Sequence, residues 1–167
     1  ASVGALQRRA QVASIVRHWE SSAARGNGST LLMEAVRAQD GRTAALLLAA
    51  ASNGYADFIN AVNDGGHSAL SVAAGLGDVA LVSALCDAGA DVDNKAGARR
   101  EGTIPLICAG SSATKRHAET VAELLRRGAD VARKQSGNLP GDEHVASSDF
   151  ERAFWSLRGA QARASTA

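Results

Sequence analysis

Aromatic side chains are scarce in this chain: two tryptophans, one tyrosine and three phenylalanines make up 4% of its 167 residues. Its 46% hydrophobic content is therefore carried mostly by alanine and aliphatic residues, a composition suited to helices that stack closely. An excess of either charge is also missing. Eighteen lysines and arginines against 17 acids leave a net charge of +1, too near neutral to argue for nucleic-acid binding by bulk electrostatics. Only two cysteines are present, Cys86 and Cys108, and both fall within expected helices, so neither a disulfide framework nor a metal site is indicated. No apolar run approaches the roughly 18 residues of a membrane span, and no secretory hydrophobic segment is apparent.

Catalytic signatures are missing as well. The four histidines, His18, His67, His117 and His144, are scattered, and none forms an i, i+4 metal-binding pair. There is no G-x-S-x-G elbow, P-loop or C-x-x-C, and no cofactor is expected. Gly65 and Gly66 lack the preceding strand and following Lys of a phosphate cradle, so turn geometry accounts for them better. Asp64 and His67 could form an acid–base pair; their placement in a turn makes them surface residues first. The chain is expected not to be an enzyme.

What is present is organised around residues 63–93, NDGGHSALSVAAGLGDVALVSALCDAGADVD. Asn63 to Gly66 supply turn chemistry, and Ser68 can cap a first helix carrying Leu70, Ala73 and Ala74. Gly77 and Asp78 break that helix and start another. Val79, Leu81, Val82, Leu85 and Cys86 then recur at helical spacing until Gly89 and Ala90 end the unit. Counterparts lie on either side. Leu32, Leu70 and Leu106 hold one slot, at intervals of 38 and 36 residues (70 − 32 and 106 − 70). GADV recurs after 39 residues, from Gly89 to Gly128 (128 − 89).

The unit resembles an ankyrin repeat. SALSVAA stands where that family has its TPLHxAA run, Gly77 at its mid-repeat glycine and AGADVD at its GADVN ending. The resemblance implies an all-α ankyrin-repeat solenoid of about three to four helix–turn–helix repeats, with capping helices at both ends. In chain order the expected units are a capping helix over 1–24, repeats over 25–62, 63–98 and 99–133, a degenerate fourth repeat acting as a cap over 134–158, and a frayed tail over 159–167. Val12, Ile15, Val16 and Trp19 line one face of the N-terminal helix. A cap is preferred there over a mitochondrial presequence, although acids are absent before Glu20.

The first repeat opens with GSTLLMEAV. Its second helix is expected to carry Thr43, Leu46, Leu47 and Leu48, and its GADV ending is replaced by a longer loop in which Tyr55 and Phe58 fold back over the helices. The third repeat keeps Pro105–Leu106 and gains three residues within SSATKRHAE, 111–119. Its second helix is expected from about His117 to Arg127, burying Val121, Leu124 and Leu125. In the last unit Phe150, Ala153, Phe154 and Leu157 form an apolar stripe behind Ser147–Asp149.

Ankyrin proteins commonly bind protein partners with the turns and outer first-helix positions of successive repeats, which form a concave strip. Carried over, that implies Asn27, Ser29, Arg37 and Ala38 in the first repeat, and Asp64, His67, Gly75 and Leu76 in the second. Arg100, Glu101, Thr103, Ser111 and Ser112 follow in the third, and Gln135, Ser136 and Asn138 in the fourth. Leu76 has two readings: an exposed anchor for a partner, or a side chain packed under the inserted segment of its neighbour. A basic edge of Arg99, Arg100, Lys115, Arg116, His117, Arg126, Arg127, Arg133 and Lys134 could take an acidic peptide or nucleic acid. No aromatic side chain is interleaved with it, and solvated helix ends explain it better. The expectation is thus a non-catalytic, intracellular, monomeric module, cytoplasmic or nuclear, that binds a protein. The missing initiator Met leaves room for a regulatory or targeting domain of a larger enzyme or channel.

Overall fold

Equivalent slots in the sequence become equivalent positions in space. The computed structural model describes residues 28–51, 56–94, 104–110, 112 and 114–130, and the expected caps at 1–24 and 134–158 lie outside these. The described helices are α1 (Leu31–Arg37), α2 (Gly41–Ala51), α3 (Ala56–Ile59), α4 (Ala69–Gly75), α5 (Val79–Asp87), α6 (Pro105–Gly110) and α7 (Lys115–Arg126). They form three helical hairpins, α1–α2, α4–α5 and α6–α7. First helices pack side by side in one layer (α1, α4, α6) and second helices in another (α2, α5, α7). Among the described residues the only β feature is an antiparallel bridge, Val62 to Ser68, across the base of one turn.

Small and aliphatic residues fill the space between layers in rows. Leu32, Leu70 and Leu106 are almost completely buried, and one turn later so are Ala35, Ala73 and Ala109. On the second helices the rows are Ala44, Val82, Val121 and Leu47, Leu85, Leu124. Alanine at the crossing points lets helix axes approach closely, so the array needs few large rings. Phe58 is buried, as expected of a residue folded back over the helices. Leu46 is not: it is 63% exposed, because it lies on the side of α2 opposite Ala44, Leu47 and Leu48.

Local capping starts the first two hairpins. Thr30 Oγ1 accepts from Met33 N at 3.2 Å, and Ser68 Oγ accepts from Ser71 N at 3.2 Å, which places both hydroxyls at the same N-cap. Ser71, standing where the family has His, is buried and donates its hydroxyl to Ser68 O at 2.9 Å, so its polar atom is satisfied. Between helices Gly77 takes φ +65°, and its counterpart Gln39 is forced into the same left-handed region at +54°. Asp40 and Asp78 then cap the second helices, accepting from Thr43 N and Leu81 N, each at 3.1 Å.

The ends of the repeats form a ladder. Asn60 Oδ1 accepts from Asp91 N at 2.7 Å, while Asn60 Nδ2 donates to Gly89 O at 3.3 Å. One repeat later Asp93 Oδ1 accepts from Asp130 N at 2.9 Å. Asn60 and Asp93 therefore do the same job, which aligns ADFIN with GADVD and corrects the view that the first repeat lacks this ending. The alignment was hidden because Phe58 stands in the Asp91 slot. The extra residues of the third repeat also take a definite form: α7 has 12 residues against 9 in α5, so the insertion is one added helical turn capped by Thr114. That helix begins at Lys115 rather than near His117.

Candidate functional site

The surface on which sites were expected is built from one turn and the outer sides of the first helices. In the turn, Asn63 Oδ1 accepts from Gly65 N and His67 N, both at 3.0 Å, and Asn63 N donates to His67 O at 3.0 Å. This leaves Asp64 and Gly65 exposed at the tip and His67 half-buried behind them. Successive turns are joined: Asn94 Nδ2 donates to Gly66 O at 2.9 Å, and a Cβ on Gly28 would meet Asp64 Oδ1 at 3.0 Å.

On the first helices a row of half-buried residues runs through all three repeats: Glu34, Val72 and Cys108. All three sit two residues after the buried leucine of their repeat. A second row, one turn on, has Arg37 and Ala38 exposed, then Gly75 exposed and Leu76 half-buried, then Ser112 half-buried. Arg37 Nη1 donates to Glu34 Oε1 at 2.8 Å, linking the two rows within the first repeat. A Cβ on Gly75 would meet Cys108 Cβ in ordinary van der Waals contact at 3.8 Å. The rows thus offer a shallow apolar floor of Val72, Gly75 and Cys108, bordered by the Glu34–Arg37 pair.

Of the expected contact residues, Arg37, Asp64 and His67 lie on this surface with at least partial exposure, as do Ala38, Gly75 and Ser112. Ser29 does not, since it is buried at the start of α1. Leu76 is half-buried and packed against the core, and as the C-cap of α4 it donates N–H to Val72 O. Of its two readings, this geometry favours packing. Asn27, Arg100, Glu101, Thr103, Ser111, Gln135, Ser136 and Asn138 lie outside the described residues. Glu34, Val72 and Cys108 were missed in the sequence, although counting two residues from each aligned leucine reaches all three.

The inserted turn of α7 reaches back to Gly75 and Gly77, on either side of Leu76. His117 is buried, and its Nε2 lies 3.1 Å from Gly75 O in the preceding repeat. A carbonyl can only accept, so Nε2 carries the proton and donates. In the neutral ring Nδ1 then accepts from Thr114 Oγ1 at 2.7 Å. The imidazole stacks over Gly77, where an added Cβ would come within 2.8 Å of Nδ1. His117 is therefore a joint between repeats and not part of a basic edge.

Two more members of that edge are engaged internally. Arg127 Nη1 donates to Asp87 Oδ1 at 2.6 Å, Nη2 to Ser83 Oγ at 2.9 Å, and Nε to Glu123 Oε1 at 2.8 Å. Arg126 pairs with the other oxygen of Glu123. Hydrogen bonds from Arg127 to Asp87 and Glu123 hold its guanidinium firmly in the charged form. Beside them burial pushes the Cys86 thiol above its usual range, with the charge of Arg127 pulling the other way. Both cysteines are free thiols, and no group of three or more His, Cys, Asp or Glu able to hold a metal occurs among the described residues. No described helix is long and apolar enough to cross a membrane.

Comparison with known proteins agrees with this geometry. The family description "Ankyrin repeats (3 copies)" matches residues 32–135, which span the three hairpins and the ladder between them. No curated protein matches the chain. Ankyrin repeats are, in general, protein–protein interaction modules. With capped helical hairpins in register and a match over more than half its length, the chain belongs to the ankyrin repeat family.

Proposed function

We propose that this protein is a non-catalytic recognition module that holds a protein partner on the concave face of its repeats. The observation that carries the reading is the pair of rows on the first helices: Glu34, Val72 and Cys108, then Arg37 and Gly75, with Asp64 and His67 on the adjoining turn. They repeat at fixed spacing on a scaffold whose side chains are already held by packing and hydrogen bonds. Little conformational entropy is then lost when a partner settles on them.

The test compares two variants of the protein in affinity capture from source-cell lysate, after circular dichroism has shown that both are folded. Arg37→Glu with Asp64→Arg inverts charges on the proposed face, while Leu46→Glu changes the opposite side of the first repeat. A protein recovered with wild type and Leu46→Glu and lost with the double variant supports the reading. Recovery unaffected by the double variant, or loss confined to Leu46→Glu, would remove the concave face from consideration.

A further inference from the structure

The two joints of the stack are built differently. Between the second and third repeats, Arg127 reaches back to Asp87 and Ser83 while Glu123 holds its Nε, and His117 reaches back to Gly75 O. Asp93 accepts from Asp130 N across the same joint. Between the first and second repeats the slots of the arginine cluster are all alanine. Ala88 stands for Arg127, and both are the C-cap of their helix. Ala84 stands for Glu123, Ala49 for Asp87 and Ala45 for Ser83. No counterpart of the His117 turn exists in the second repeat either, because α5 is one turn shorter than α7. Helix proximity follows the same order, with α4 lying alongside α6 more extensively than alongside α1, and α5 alongside α7 more extensively than alongside α2.

In a one-dimensional stack each repeat is held by its own hairpin and its neighbours, so a weak joint sets where the array opens. We infer that the joint between the first and second repeats is the opening point of the fold: α1 and α2 undock together while α4 to α7 stay assembled as one block. Among the described residues, Asn60 ties that joint through its bonds to Asp91 N and Gly89 O. The inference stands on these contacts alone and is independent of the recognition reading. It has a consequence for recognition all the same. The proposed face crosses this joint, so a partner touching Arg37 and Asp64 together would also hold the first repeat docked.

Native-state hydrogen exchange on the full chain, followed residue by residue at rising sub-denaturing urea, tests it. Amides in the middle of α2 are expected to exchange at least about tenfold faster than those of α5 and α7, with α5 and α7 moving together as urea rises. A single opening shared by α2, α5 and α7 would overturn the inference. A second measurement moves the arginine cluster to the weak joint through Ala49→Asp, Ala84→Glu and Ala88→Arg. It should slow exchange in α2 at least about threefold and leave α7 unchanged. An α2 no better protected than in wild type would show that the missing cluster is not the cause, and the inference would fall. Should the triple variant not fold, the wild-type comparison is decisive alone.

Discussion

At the scale of the residue, backbone conformation explains which slots tolerate substitution. Gly77 and Gln39 occupy one position of the repeat, at φ +65° and +54°. A residue with a Cβ is disfavoured there by roughly 1–2 kcal/mol, part of which glycine returns through its freer unfolded chain. Gln39→Gly is therefore expected to stabilise the protein by about 1 kcal/mol, read from urea denaturation. Gly77→Ala should destabilise it by more than that, since its new methyl also meets His117 at 2.8 Å. Asp40 offers a pH-dependent counterpart. Its carboxylate accepts from the Thr43 hydroxyl at 2.6 Å and from the Thr43 and Arg42 amides at 3.1 Å. The Thr43 side-chain bond, first among these, lowers the Asp40 pKa below the ordinary 3.8. The stabilisation is thus complete above the unfolded value and lost as pH falls through the lowered one. In acid titrations Asp40→Asn should lower stability at neutral pH and flatten its loss below about pH 4, where the variant and the wild type converge.

Whole elements are set by their ends. Each described hairpin of the first two repeats begins at a hydroxyl cap, turns through a left-handed residue, and restarts at an aspartate cap. These signals are plain in Ser68, Gly77 and Asp78. The ladder was less plain, because Asn60 lies behind a loop whose neighbouring letters no longer spell GADV. Its role is defined by the partner it meets, Asp91 N, 31 residues away. Asn60→Ala should cost about 1–2 kcal/mol by stripping a backbone donor and an acceptor of their partner at once. Asn60→Asp, which keeps the acceptor that Asp93 supplies at the next joint, should lose less. Chemical denaturation of the two variants side by side checks the order. The three-residue insertion belongs to this scale too. An insertion equal to nearly one helical turn can lengthen a helix without changing which face it buries, and Val121, Leu124 and Leu125 stay in the core.

Over the whole molecule, charges of the two signs nearly balance. A net charge of +1 is spread over 18 cations and 17 anions, and Arg126 and Arg127 are paired with Glu123 and Asp87. Phosphate binding needs cations that are free to displace counterions. We therefore expect no retention on single- or double-stranded DNA or RNA at physiological salt, measured by fluorescence anisotropy. Binding that persists there and weakens steeply with added salt would restore the basic edge as a site. Arginine pairs at helix ends and arginines facing nucleic acid look alike in sequence. What distinguishes them is whether an acid from a neighbouring repeat stands within reach.

The sequence by itself determined the repeat. Period, caps, turns and buried leucines are local or strictly periodic features, and a one-dimensional array needs little else to define its architecture. It also named a candidate surface, of which Arg37, Asp64 and His67 are at least partly exposed and Ser29 is buried at the start of α1. Only the tertiary structure decided what happens between repeats. That His117 covers Gly77, that Arg127 bridges to Asp87, and that Asn60 and Asp93 are equivalent all depend on contacts between residues 31 to 44 positions apart. Such pairings follow from how neighbouring hairpins settle against each other, and a side chain's local sequence carries no record of the group that will face it.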